Sequence, residues 1–187
     1  NMIILVGPSA SGKSVVAKAL MKKYGFKKII TYTTRPMRVN EVQDVDYHFI
    51  SLNDFLNKKE NNFFIETALY NNNYYGTAFT DIASDKVLIV EPMGANVYYE
   101  KLKDKVFIVY LDATISKRKK RMIERLDSDE IIEKRLQNDP TYFAKEKFNH
   151  LDLIIDTDDL SVEEITDKII DQYNKHWLIS MFIFIYV

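Results

Sequence analysis

A doubly wound α/β fold is what this sequence predicts, and three observations carry the prediction. Short β-rich runs alternate with helical patterns along most of the chain, the order expected of a parallel sheet covered by helices on both faces. The chain's 187 residues suit one compact domain with small insertions. The first apolar run, Met2-Ile3-Ile4-Leu5-Val6, leads straight into Gly7-Pro8-Ser9-Ala10-Ser11-Gly12-Lys13-Ser14, and a helical pattern follows.

That loop reads G-x-x-x-x-G-K-[ST] with a strand before it and a helix after it, the context the motif requires. Its backbone N–H groups turn inward, the helix N-terminus adds positive potential, and the glycines let the chain approach phosphate closely. The sequence therefore predicts a P-loop NTPase fold with a triphosphate against Gly7, Ser9, Ala10, Ser11, Gly12, Lys13, Ser14 and Val15. Lys13 reaches the β- and γ-phosphates, and the Ser14 hydroxyl belongs to the shell of a Mg²⁺ ion that accompanies ATP.

The elements follow in order. Val15, Val16, Ala19 and Leu20 share one helix face, and Gly25 after Tyr24 supplies a C-terminal stop. A second strand is expected over 27–31, and further strands over 86–91, 105–111 and 151–156, giving a five-stranded parallel sheet. Helices are expected over 94–103, 115–126, 129–138 and 162–176, the last opened by Ser161 with Glu164 three residues on, a capping box. Pro140 is expected to end the helical stretch before it. Residues 35–79 break the alternation with short β-like runs at 47–50, 63–68 and 74–79, a turn at Asn71-Asn72-Asn73 and a helix over 52–59 that starts at Ser51. They are read as an inserted lobe of mixed sheet, on a single domain whose core is 1–34 and 80–187.

Composition narrows the partners. Lysine plus arginine (26) nearly balance aspartate plus glutamate (27), so no overall field points to nucleic acid or an anionic membrane. There is no cysteine, which removes disulfides and thiolate metal sites and suits a reducing compartment. The three histidines, His48, His150 and His176, show no metal-ligand spacing. With no signal-peptide pattern the protein is expected to be cytoplasmic, Asn1 being set aside as a remnant ahead of Met2. The apolar tail 177–187 is too short for a bilayer core, which needs about 20 helical residues, and is expected to pack against the domain or a second copy, the chain being a monomer or homodimer.

Inside the lobe lies an ordered set of polar residues: Thr33-Thr34-Arg35-Pro36-Met37-Arg38, Glu41, Asp46-Tyr47-His48-Phe49, Glu66, and Tyr74-Tyr75-Gly76-Thr77. Two arginines three apart suit a second anion, because their planar donor forks bind phosphate oxygens in pairs, and phenols add donors. Here the sequence resembles the guanylate kinase family, whose lobe pattern runs T-T-R-x-P-R, G-E, D-Y-x-F, a lone E, then Y-Y-G-S/T. The resemblance covers nearly the whole chain. It implies that Arg35, Arg38, Tyr47 and Tyr75 hold the phosphate of GMP, that Thr31, Glu66 and Thr77 read guanine, and that Gly76 lies in the same site. The chemistry agrees: guanine presents N1–H and N2–H₂ side by side, and a carboxylate can accept both.

The resemblance also implies a helical lid, about residues 113–128, closing arginines over the transferring phosphate. Arg121 and Arg125 match its R-x-x-x-R pair, and Arg135 matches the later arginine at an interval one residue short. Other departures are a proline one place early at Pro36, Asn40 in place of glycine, and Ile89-Val90-Glu91 where the family has D-I-D. Glu91 matches the second aspartate and is assigned to guanine, to a magnesium water, or both. The implied activity is ATP-dependent phosphorylation of GMP or dGMP by a transferase with Lys13, Arg121, Arg125 and Arg135 as catalytic residues, small-molecule substrates, and neither nucleic acid nor membrane as partner. Two other readings stay open on sequence alone: a small P-loop kinase for another phosphorylated acceptor, and a phospho-ligand binding module that has lost catalysis.

Overall fold

The computed structural model describes all residues except Arg38, Asn40, Asn71, Tyr186 and Val187, and gives backbone only for Tyr70 and residues 179–185. The described chain runs β1 (Met2–Val6), α1 (Lys13–Tyr24), β2 (Lys27–Lys28), β3 (Tyr32–Thr33), β4 (His48–Phe49), α2 (Leu52–Glu60), β5 (Phe64–Tyr70), β6 (Asn73–Ala78), β7 (Lys86–Ile89), α3 (Pro92–Leu102), β8 (Val106–Asp112), α4 (Ile115–Glu124), α5 (Asp129–Tyr142), β9 (Leu153–Asp156) and α6 (Val162–Ile185). Five strands pair in the order β2-β7-β1-β8-β9, all parallel. β1 is wholly buried and lies where the strand order reverses, so its C-terminal end opens on the crevice in which such sheets bind ligands.

The alternation of side chains along β1 sets the two layers of core. Ile4 and Val6 face Tyr98 of α3 together with Ile108 and Tyr110, while Ile3 and Leu5 face Val16 and Leu20 of α1 and Ile165 and Ile169 of α6. α1 stops at Gly25, which takes φ 74° and donates its N–H to Leu20 O. The Ser161–Glu164 capping box forms as the sequence predicts, with Glu164 N–H on Ser161 Oγ at 3.2 Å and Ser161 N–H on Glu164 Oε2 at 2.8 Å.

A second, mixed sheet orders β4-β3-β6-β5, with β3 parallel to β4 and β6 antiparallel to both β3 and β5. Under it sits an aromatic layer in which Phe55 of α2 stacks on Phe64 at 4.6 Å and on Tyr74 at 5.3 Å. Gly76 faces that layer, where a Cβ would come within 2.9 Å of Phe64 Cδ1 and 3.1 Å of Phe55 Cζ.

Three sequence expectations are corrected. The strand expected over 27–31 is shorter, since β2 ends at Lys28; buried Ile29 follows it, and β3, which begins at Tyr32, belongs to the other sheet. Pro140 does not end its helix: it falls in the last turn of α5, where its ring removes one ladder donor, yet the helix runs on to Tyr142 and Phe143 N–H closes onto Asp139 O at 2.8 Å. α6 does not stop at His176; it continues to Ile185, and Trp177 and Leu178 on that extension are 36% and 56% exposed. Among the described residues, no helix is long and apolar enough to cross a membrane.

Candidate active site

The loop leaving β1 adopts the backbone its glycines permit. Gly7 takes φ 135° and passes so close to β8 that a Cβ would lie 2.3 Å from Leu111 O, and Gly12 takes φ 106° as it opens α1. Lys13, the first residue of α1, folds back to donate from Nζ to Gly7 O at 2.5 Å and Pro8 O at 2.8 Å. Its ammonium also lies 5.5 Å from the centre of the Phe143 ring. Burial pushes the Lys13 pKa down to about 8; the nearby carboxylates Asp139 and Glu91 oppose that shift, and Arg118 and Arg125 add to it. Ser9, Ala10, Lys13 and Ser14 line a cavity of about 190 Å³ whose other wall is Arg125 and Arg135. Val15 stands half-exposed one residue further along α1.

The three predicted lid arginines are therefore not alike. Arg125 and Arg135 both reach Asp127: Arg125 donates Nε to Oδ1 at 3.0 Å and a second bond to Oδ2, and Arg135 Nη1 donates to Oδ2 at 2.9 Å. Asp127 thereby holds two cations at the mouth of the phosphate cavity. Arg121 instead fastens the loop itself, donating Nη1 to Ala10 O at 3.2 Å and Nη2 to Thr157 O at 2.8 Å. Buried Thr157 gives its hydroxyl to Ser11 O at 3.1 Å and Asp112 O at 2.9 Å, bracing the loop from the other side.

Sequence reasoning missed Arg118 and Asp139. They pair with each other at 3% and 7% exposure, and both hold Ser9: Arg118 Nε donates to Ser9 O at 2.8 Å, while Asp139 Oδ2 accepts the Ser9 N–H at 2.7 Å. That N–H, expected to face phosphate, is given to a carboxylate instead. The signal lay in helix phase, since Arg118 and Met122 are four apart and both buried on α4. Within the cationic run 117–121 that phase is hidden among the neighbouring lysines.

In the lobe, Thr33 and Thr34 fix the arginine loop to β6, with Thr33 Oγ1 donating to Tyr74 O at 3.0 Å and Thr34 Oγ1 accepting the Tyr74 N–H at 2.9 Å. Arg35 makes a two-pronged pair with Glu41, at 3.0 and 2.6 Å, and its guanidinium lies 5.3 Å from the Tyr47 ring centre. Glu41 foremost, and Tyr75 to a lesser degree, favour the charged form of Arg35, and the Tyr47 and Tyr75 rings meet edge to face at 6.1 Å. The structure thus gathers Arg35, Tyr47 and Tyr75; Arg38 lies outside the described residues. Thr31 sits at the approach to β3, its carbonyl accepting the His48 N–H at 3.0 Å.

A register shift in β5 between Phe64 and Glu66 leaves Ile65 as the extra residue and sets Glu66 opposite Thr77. Thr77 donates its hydroxyl to Glu66 Oε1 at 3.2 Å. Burial raises the Glu66 pKa above the ordinary carboxylate value, and the Thr77 hydrogen bond and the Lys101 charge only partly offset it. Near Thr77 the Tyr98 hydroxyl is buried with no hydrogen-bond partner among the described residues. Glu91 lies exposed at the start of α3 and accepts the Tyr142 hydroxyl. Among the described residues no three His, Cys, Asp or Glu side chains form a metal cage. Ser14 and Glu91 are nonetheless hard oxygen donors of the kind that hold Mg²⁺ when substrate phosphates and water complete its shell, so the residues fit that ion.

The family model for guanylate kinase matches residues 1–174. The chain is 33% identical to a guanylate kinase of Sulfurimonas denitrificans, over 90% of this chain and 85% of that protein. It is 30% identical to one of Streptococcus mutans, over 93% and 92%. A crystal structure of guanylate kinase from Anaplasma phagocytophilum superimposes with a TM-score of 0.66 at 21% identity, covering 93% of this chain and 84% of that one, a likeness of fold.

Proposed function

Since this chain belongs to the guanylate kinase family and is an ATP-dependent nucleoside monophosphate kinase, we propose that its two polar centres divide the reaction as follows. The donor site is the phosphate loop with Gly7, Ser9 to Val15 and the Lys13 ammonium, faced by Arg125 and Arg135. The acceptor site is the small sheet, where Arg35, Arg38, Tyr47 and Tyr75 take the phosphate of GMP or dGMP and Thr31, Glu66 and Thr77 read guanine. Gly76 serves this site as the spacer that lets the aromatic layer rise beneath Tyr75 and Thr77. Arg121 supports the donor site through Ala10.

No general base is needed, because the attacking group is a phosphate oxygen whose second pKa is about 6 and which is largely ionised at neutral pH. The chain's task is alignment and charge neutralisation. Lys13 leaves the Gly7 and Pro8 carbonyls for the β- and γ-phosphates, and Arg35 passes from Glu41 to the GMP phosphate. Arg125 and Arg135, already gathered by Asp127, face the transferring group. Mg²⁺, held by Ser14 and through water by Glu91, supplies charge neutralisation at the phosphates when bound. Closure of the lobe, residues 35–79, and of a lid within 113–128 excludes water, which in the acceptor's place would hydrolyse ATP.

One observation carries the guanine assignment: the bulge in β5 presents a half-buried carboxylate beside a Thr77 hydroxyl in the lobe that also gathers Arg35, Tyr47 and Tyr75. Glu66→Ala removes an acceptor of two donors, and the expected loss is roughly 2 to 4 kcal/mol, or about 30-fold to 1,000-fold in kcat/KM for GMP. Glu66→Gln keeps the shape and turns donors toward donors. Both variants are expected to lower the preference for GMP over AMP; an unchanged ratio of the two kcat/KM values overturns the assignment.

A further inference from the structure

We infer that Arg118 and Asp139 are positioning residues for phosphoryl transfer, a buried charge-neutral brace that clamps both backbone groups of Ser9 and keeps an otherwise repulsive carboxylate silent beneath the phosphate loop. The inference rests on the reading that this loop receives the phosphates of ATP.

Geometry comes first. Ser9 is held on both sides, its carbonyl by Arg118 Nε at 2.8 Å and its N–H by Asp139 Oδ2 at 2.7 Å, and the two side chains close the ring by pairing with each other. One partner comes from α4 and the other from α5, so the clamp ties the helices on either side of Asp127 to the loop between β1 and α1. At 3% and 7% exposure neither ion has much water, and a buried pair is tolerated only where its remaining donors and acceptors are occupied. Here Ser9 occupies Arg118 Nε and adds a second donor to Asp139 Oδ2.

Charge decides the rest. Asp139 is close enough to Lys13 to be the leading charge that opposes the effect of burial on that lysine, so its field reaches the phosphate site. A bare carboxylate there repels a triphosphate, whereas the pair is neutral. The brace also divides the lid: α4 is fastened to the phosphate loop at Arg118 and Arg121, whereas Arg125 pairs with Asp127 beyond the end of the helix.

The test separates charge from packing because the two partners have opposite signs. In direct ATP titrations of the full chain, Arg118→Met leaves Asp139 uncompensated and is expected to weaken ATP binding on the order of tenfold or more, more at low than at high ionic strength, with GMP binding unchanged. Asp139→Asn leaves Arg118 uncompensated, and ATP binding is expected to hold or tighten although the melting temperature falls. The double variant Arg118→Met/Asp139→Leu is neutral again and is expected to regain most of the ATP affinity lost in Arg118→Met. Equal weakening in both single variants, or a double variant as weak as Arg118→Met, overturns the charge brace. Should Arg118→Met fail to fold, weakened ATP binding by Asp139→Asn alone overturns it. A wild-type chain that binds no ATP refutes the phosphate-site reading itself, and the brace with it.

Discussion

Lys13 works within reach of its own titration. Burial lowers its pKa from 10.5 to about 8, so in the ligand-free protein its charge is lost as pH rises through about 8. Two consequences of opposite sign follow. The KM for ATP should be level below that pH and rise above it, since a neutral lysine must recover a proton to meet phosphate. Between about 8 and 10.5 the unfolded chain binds the proton that the folded chain has released, so the stability cost of burying Lys13 fades as pH rises. Comparing melting temperatures of wild type and Lys13→Met across that window measures it: the variant's advantage should be largest below pH 8 and shrink above. Glu66 behaves in the mirror sense. Its raised pKa means that the KM for GMP should climb on acidification at a pH above the ordinary carboxylate value, while the KM for ATP does not follow. In the sequence Lys13 is marked by the phosphate-loop motif, and Glu66 and Thr77 by the resemblance to the guanylate kinase family. Asp139 is not, because nothing near it in the chain marks a residue whose partners are Ser9, some 130 positions away, and Arg118.

At the scale of elements, period and caps were sufficient where an element stands alone. α1 with Gly25, α2 with Ser51 and α6 with its capping box all begin or end where local chemistry requires. Pattern failed where tertiary placement decides: 27–31 reads as one strand, yet only Lys27–Lys28 joins the parallel sheet, and β3 just beyond it serves the other. β6 shows how tightly an element can be specified. Tyr75 and Thr77 are the residues proposed for the acceptor site, while Gly76 between them meets Phe64 and Phe55. Gly76→Ala therefore overfills the aromatic layer and should cost about 1–3 kcal/mol of stability. It should also weaken GMP binding by displacing Tyr75 and Thr77. Thermal unfolding with paired KM measurements checks this; a Gly76→Ala protein with wild-type stability and wild-type KM for GMP contradicts the packing role.

For the whole molecule, the structure sets a rigid sheet between two pieces with reason to move. Arg35 is tied to Glu41, Arg125 and Arg135 to Asp127, and Lys13 to loop carbonyls, so each of these four cations is held by a chain acceptor it can exchange. Adding GMP with a non-hydrolysable ATP analogue should slow amide hydrogen exchange in 35–79 and around 122–128, with little change near Arg118; no protection in either segment contradicts closure. The central claim, that a guanine-reading acceptor site faces an ATP site across this sheet, is tested most directly by ADP release from wild-type protein with GMP, dGMP, AMP, CMP, UMP and ribose 5-phosphate offered in turn. ADP should form at a rate set by GMP or dGMP and hardly at all with the other acceptors. Equal rates across the panel, or ADP release that ignores the acceptor, would contradict it.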